Sequence, residues 1–129
     1  MHALQFDHEK LDVYRVSIEF VSLAGELLDG PLAGCRLSAV SQLDRASTSI
    51  PLNVAEGTGK RTVRDRLRYL DSARGSAFES AAALDVLVAR KALQPEAISD
   101  GKALLLRVVG MLSKMCLKLL EQETAAAKA

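Results

Sequence analysis

Polar residues recur at helical spacing through residues 42–79, a stretch that otherwise has the pattern of two apolar helices. In the first half they follow one another at steps of three and four, which places them on one face of an α-helix. They are Gln42, Arg45, Ser49, Asn53 and Glu56. After the turn GTGKRT a second set follows, at Arg68, Ser72, Ser76 and Glu79. This pattern predicts two helices joined by a short turn at residues 57–61.

If these two helices fold back antiparallel, the residue numbers of facing pairs have a nearly constant sum. Glu56 then faces Arg68, and Asn53 lies near Ser72. Arg45 faces Glu79 in the same alignment. The sequence therefore predicts a polar seam that fixes the alignment of the two helices through two ion pairs and one hydrogen-bonding pair. The polar seam consists of Arg45, Ser49, Asn53, Glu56, Arg68, Ser72, Ser76 and Glu79.

The composition favours an all-α domain. The 129 residues suffice for one hydrophobic core, and they include three Pro, two Tyr, three Phe and no Trp. A chain rich in Ala and Leu without alternating β-branched runs is typical of helical proteins. We expect a single domain over residues 1–129, an antiparallel up-down four-helix bundle. The predicted helices are about 8–29, 36–57, 62–92 and 95–121, and the tail 122–129 is predicted to be frayed.

Local signals refine these helices. Asp7 is a candidate N-cap of the first helix, and Thr62 followed by Asp65 resembles the capping box that opens a helix. Pro51 predicts a kink or break in the second helix, because proline removes a backbone donor. Gly57 is a natural residue just beyond the end of that helix. Gly75 lies inside the third helix, where close packing against the second helix would offset its low helix propensity.

The first and fourth helices have more apolar surface than one bundle can bury. The first helix carries two apolar stripes side by side, and the fourth leaves only a thin polar stripe. A large exposed apolar patch is unusual on a monomer, so we expect a closed cyclic homo-oligomer. The candidate outward residues are Leu23, Leu27, Leu106, Val109 and Met111.

The charge distribution is uneven although the net charge is only +1. Residues 1–56 contain four Lys/Arg and eight Asp/Glu, whereas residues 57–91 contain eight and four. The densest basic run leads into the third helix. It is either a solvated helix face or a contact surface for RNA phosphates. The candidate phosphate-binding residues are Lys60, Arg61, Arg64 and Arg66.

No motif in the sequence indicates an enzyme. AEGTGKRT lacks the first glycine and the Ser/Thr of a phosphate-binding P-loop. Cys35 and Cys116 have neither metal nor redox spacing, and Glu-x-x-His pairs are absent. We therefore expect no catalytic residue, metal or cofactor. The start MHALQFDHEK lacks an apolar signal core, and no stretch is typical of a membrane span, so a cytoplasmic location is expected.

Three segments resemble one protein family. They are FDHEKLDVYRVSIEF, QLDRASTSIPLNVAEGTGK and RDRLRYLDSARGSAFE. They look like the four-helix-bundle proteins encoded in intervening sequences of bacterial 23S rRNA genes. A distant branch of that family includes the accessory variability protein of diversity-generating retroelements. The family elements S-I-x-x-N-x-A-E-G and G-S-x-x-E are present at residues 49–57 and 75–79.

The resemblance implies an up-down four-helix bundle, assembly into a five-membered ring, and association with RNA or a ribonucleoprotein. It supplies no catalytic residue. Two functions remain open on the sequence alone. One is a non-enzymatic RNA-associated assembly protein that contacts structured RNA through the basic run. The other is a protein-binding scaffold without nucleic-acid binding, whose basic run is merely solvated.

Overall fold

The computed structural model describes residues 4–128, and in that range the chain forms four α-helices and no β-strand. The all-α class is thereby confirmed. The helices are α1 (Asp12–Asp29), α2 (Ser38–Gly59), α3 (Val63–Ala89) and α4 (Ser99–Lys128), and two short 3-10 helices cover Asp7–Lys10 and Pro95–Ile98.

The four helices surround one core. The α2–α3 pair has the most extensive contact, α3 also packs on α4, and α1 packs on both α2 and α4. Within the described residues the backbones of α1 and α3 do not approach each other closely, so these two helices lie diagonally across the shared core. The largest fully buried side chains include Phe20, Leu43, Ile50, Leu84 and Leu112.

Helix α1 begins later than the sequence predicts. Asp7–Lys10 forms a 3-10 turn, Leu11 occupies the N-cap in extended conformation, and the α-helix starts at Asp12. Asp7 therefore does not cap α1. Of the two predicted apolar stripes, the one that contains Val13, Val16, Phe20 and Leu27 is buried. The other is half-buried or outward, and Ile18 is 42% exposed.

Only some of the apolar residues that were predicted to lie on the outer surface are exposed there. Leu106 is 73% exposed, as expected for a residue outside the core. Leu27 is buried at 9% exposure, so its assignment to the surface is wrong. Leu23, Val109 and Met111 are half-buried and pack against the core. A helical period identifies an apolar stripe, but it does not say on which side of the core the stripe lies.

Helix α2 continues through Pro51 without a break. The proline ring is buried, and the helix accommodates the missing backbone donor. The helix ends at Gly59 and not before Gly57. Gly57 is therefore an interior helix residue and does not terminate α2.

The close approach of α2 and α3 occurs at Gly57 and not at Gly75. A Cβ atom on Gly57 would lie 3.0 Å from the Cβ of Tyr69 and 3.3 Å from the carbonyl oxygen of Arg66. Gly75 is exposed, and a Cβ atom there would meet nothing within 4 Å. The expected packing role of Gly75 is wrong, because Gly75 lies on the outward side of α3.

The start of α3 and the end of α4 are explained by the residues found there. Thr62 caps α3, and its Oγ1 accepts a hydrogen bond from the backbone N–H of Asp65 at 3.1 Å, as predicted. At the other end of the chain, the residues predicted to be frayed are helical as far as Lys128, although their side chains are exposed. Ala, Glu, Gln and Lys have high helix propensity, which accounts for the longer helix. Ala129 lies outside the described residues.

Candidate functional site

The centre of the polar seam is formed. Ser49 Oγ lies 2.8 Å from Ser76 Oγ, which joins α2 to α3. Asn53 Nδ2 donates to both the hydroxyl and the carbonyl oxygen of Ser49, at 2.9 Å each. All three residues are half-buried. The Ser49–Ser76 contact agrees with the predicted alignment of the two helices, whereas Asn53 bonds within α2 and not to Ser72.

The two ion pairs predicted for the polar seam are not formed. Among residues 4–128, ion pairs within 4.0 Å occur elsewhere: Lys10 with Asp7, Arg15 with Asp12 and Lys102 with Asp85. The charged members of the seam are exposed, where water screens an ion pair to less than about 1 kcal/mol. Little free energy therefore draws them together. Ser72 likewise hydrogen-bonds within its own helix, to the carbonyl of Arg68 at 3.0 Å.

Tyr69 engages two cations at the turn between α2 and α3. Lys60 Nζ lies 5.0 Å from the ring centroid, and Arg68 Cζ lies 5.1 Å from it. Such cation–π contacts stabilise by roughly 0.5–1 kcal/mol at exposed sites. Arg68 thus approaches the neighbouring aromatic ring and not Glu56. The signal in the sequence was the single tyrosine inside the basic run.

The four candidate phosphate-binding residues, here called the basic turn, differ in their surroundings. Arg66 Nε donates to the carbonyl of Lys60 at 2.7 Å, which braces the turn. Arg66 is half-buried and, with Lys118, lines a cleft of about 380 Å³. Arg61 and Arg64 are exposed, and within residues 4–128 neither has an acidic partner within 4.0 Å. These two guanidinium groups are the ones freely offered to solvent.

Cys116 is an unreactive thiol on the inner side of α4. Burial raises its pKa to about 11, and the charge of Asp71 and a hydrogen bond to that carboxylate add to the effect. Its Sγ lies 3.6 Å from Asp71 Oδ1. The nearby Arg74 opposes the shift. Because the thiolate is the nucleophile, Cys116 stays protonated and inert near neutral pH.

The residues that form the polar seam and the basic turn lie within a region that matches one protein family. The family described as 23S rRNA-intervening sequence protein matches residues 9–114, which include α1, α2, α3, the polar seam and the basic turn. The chain belongs to this family. The resemblance seen in the sequence is thereby confirmed for the family as a whole.

A solved structure supports the fold. The chain is similar to a protein of unknown function from the S23 ribosomal protein family of Bacteroides thetaiotaomicron VPI-5482. The TM-score is 0.70 at 20% sequence identity, and the match covers 81% of this chain and 97% of the other. No curated protein matches the chain.

Within residues 4–128, none of the helices combines the length and apolar character needed to cross a bilayer.

Proposed function

We propose that this 23S rRNA-intervening sequence protein is a non-enzymatic, cytoplasmic homo-oligomer that associates with structured RNA or a ribonucleoprotein. The observation that carries the proposal is the basic turn. Arg61, in the turn before α3, and Arg64, in the first turn of α3, are exposed without acidic partners among the described residues, and Arg66 braces this turn. Arginine groups held in this way can contact phosphates without any rearrangement of the fold.

The contact is with phosphates and not with bases. The one aromatic ring at the turn, Tyr69, already has Lys60 and Arg68 against it. Base stacking needs a free aromatic face. A partner recognised by shape and phosphate spacing, such as an A-form RNA duplex, suits this surface better than single-stranded RNA.

Self-association is the second part of the proposal. The exposed apolar side chains of α3 and α4, among them Phe78 and Leu106, favour coverage by another chain. An antiparallel up-down bundle is supported by the Ser49–Ser76 contact near mid-helix and by the packing of Gly57 on Arg66 and Tyr69. A five-membered ring is the assembly that the family resemblance implies.

The test measures binding of a duplex RNA hairpin across a salt series. Phosphate contact predicts a steep linear fall of log affinity with log salt, and each lost cation should reduce that slope by about 1 per site. The double variant Arg61→Ala/Arg64→Ala should therefore bind weakly and depend less on salt. Arg36→Ala/Arg90→Ala is the matched control. Arg36 precedes α2, whose 22 residues span about 33 Å, so this control removes equal charge far from the turn.

The competing function is a protein-binding scaffold. The exposed apolar side chains of α3 and α4 favour it, because they would also suit a different protein partner. Absence of RNA binding by the intact chain at low salt would support the scaffold. An equal loss of affinity in the Arg36/Arg90 control would instead show that binding depends on the total positive charge of the protein and not on the basic turn in particular.

A further inference from the structure

An apolar surface without a partner runs along α3 and α4. In the described residues, five of the seven large apolar side chains exposed on the α-helices belong to these two helices. Four of them form what we call the apolar face. They are Phe78 (50% exposed), Leu106 (73%), Leu117 (58%) and Leu120 (49%). Exposure on this scale favours burial against another molecule.

Direct contacts place these residues on one surface. Arg74 of α3 donates from Nε to Ser113 Oγ of α4 at 2.9 Å, and its guanidinium lies 4.9 Å from the ring centroid of Phe78. Leu106, Leu117 and Leu120 lie on the same side of α4 as Ser113, at helical spacing. Phe78 and the leucines therefore flank the point at which α3 and α4 are joined.

The charge of α4 restricts what can cover the apolar face. Residues 101–120 contain four cations and no acidic residue. Lys102 is paired with Asp85, Lys118 lines the cleft beside Arg66, and Arg107 lines a groove with Glu19 and Glu26 of the same chain, which leaves Lys114 for the apolar face. Lys114 is exposed beside Gly110 and Leu117, and it has no ion-pair partner in the described part of the chain. A complementary partner would bring carboxylates together with at least one apolar side chain.

The outward side of α1 has those properties, and we call it the acidic face. It consists of Ile18, Glu19, Ser22, Glu26 and Asp29, and all five are exposed. Ile18 is the exposed large apolar residue of this helix. Within residues 4–128 its three carboxylates lie beyond 4.0 Å of any basic side chain.

Two glycines with empty space beside them support a contact between α4 of one copy and α1 of another. Gly110 lies in the middle of α4 between Leu106 and Leu117, and Gly25 lies in α1 near Ser22. A Cβ atom on either would meet nothing within 4 Å. Each glycine costs about 1 kcal/mol of helix propensity relative to alanine, and no packing among residues 4–128 accounts for that cost, as is also true of Gly75. Gly25 and Gly110 leave room for close approach of a second helix.

We infer that the apolar face of one copy packs on the acidic face of the next copy. This inference rests on the proposed self-association and assigns its two surfaces. Ile18 meets the leucines of α4, Glu19 and Glu26 approach Lys114, and the helices cross near Gly25 and Gly110. The two faces consist of different residues, because the acidic face lies on α1 and the apolar face on α3 and α4. The contact is therefore head-to-tail, which generates a ring when the rotation closes.

The test uses two variants, each with one altered face. Leu106→Glu/Leu117→Glu places acid on the apolar face, and Glu19→Lys/Glu26→Lys places cations on the acidic face. Light scattering at micromolar concentration should give the unaltered chain a mass near five times 13.9 kDa, the size that the family resemblance implies. Each variant alone should give the mass of a single chain. An equal mixture should give a mass above that of a single chain, because the two intact faces are complementary and so are the two altered faces. The mixed assemblies should be open, because two alternating variants cannot close a ring of five.

The possible outcomes distinguish a failure of self-association from a failure of the assigned interface. A constant mass of 13.9 kDa for the unaltered chain would defeat the proposed self-association itself. If the unaltered chain assembles but Glu19→Lys/Glu26→Lys assembles equally well, the acidic face is not in the interface and this inference fails. A mixture that remains as single chains overturns it as well. Leu52→Glu is the control, because Leu52 is 60% exposed on α2 and belongs to neither face, so assembly should persist.

Discussion

At the scale of single residues, the hydrogen-bonded pair Ser49 and Ser76 should contribute more to the free energy of unfolding than the charged residues of the polar seam do. Removing Ser49 Oγ leaves Asn53 and Ser76 short of a partner, so Ser49→Ala should lower the free energy of unfolding by about 0.5–1.5 kcal/mol. Ser76→Ala should have a similar effect, and the double variant should cost less than the sum of the two. Urea unfolding measures all three. Ser72→Ala is the control, because its exposed hydroxyl bonds only within α3. Equal effects at Ser49 and Ser72 would contradict the prediction.

The sequence predicted which residues belong to the polar seam better than it predicted which of them pair with each other. Spacing placed Ser49 and Ser76 at the same level of two helices, and they meet there. Spacing carries no information on exposure, however, and exposure decides whether opposite charges pair. Glu56 and Arg68 are exposed to water, and Arg68 lies against the adjacent Tyr69 ring.

At the scale of helices, the two glycines of the α2–α3 hairpin should respond oppositely to the same substitution. Gly57→Ala adds a Cβ atom 3.0 Å from the Cβ of Tyr69, so the helices must separate, and we expect a loss of about 1–3 kcal/mol. Gly75→Ala adds a Cβ atom in open space and should gain up to about 1 kcal/mol from helix propensity. Thermal unfolding followed by circular dichroism compares the two. Destabilisation by both would show that Gly75 also faces a packed surface.

Helix positions were predictable because the apolar period of 3.6 residues is strong, but rotations about the helix axes were not. In α1 the sequence placed Leu27 on the outward side, whereas Leu27 is buried and Leu28 only partly buried. One residue corresponds to about 100° of rotation, so a small error transfers a residue from the core to its edge. Gly75 was misplaced for the same reason.

At the scale of the whole molecule, self-association and RNA binding should be coupled. A ring repeats the basic turn once in every copy, and linked sites can raise the affinity for an extended anion by about 10²-fold or more without any new contact. A single chain would contact the same anion through one turn only. The affinity for RNA should therefore depend on an interface that does not itself touch RNA.

Glu19→Lys/Glu26→Lys tests this coupling, because its two expected effects have opposite signs. It raises the net charge of +1 by four units per chain, which alone would strengthen binding to a polyanion. Loss of assembly would weaken binding by removing the linked sites. We expect the second effect to dominate, so the affinity for the duplex RNA hairpin should fall by about tenfold or more despite the added charge. An affinity that is unchanged or higher, in a variant that light scattering finds to be a single chain, would show that each basic turn binds RNA independently.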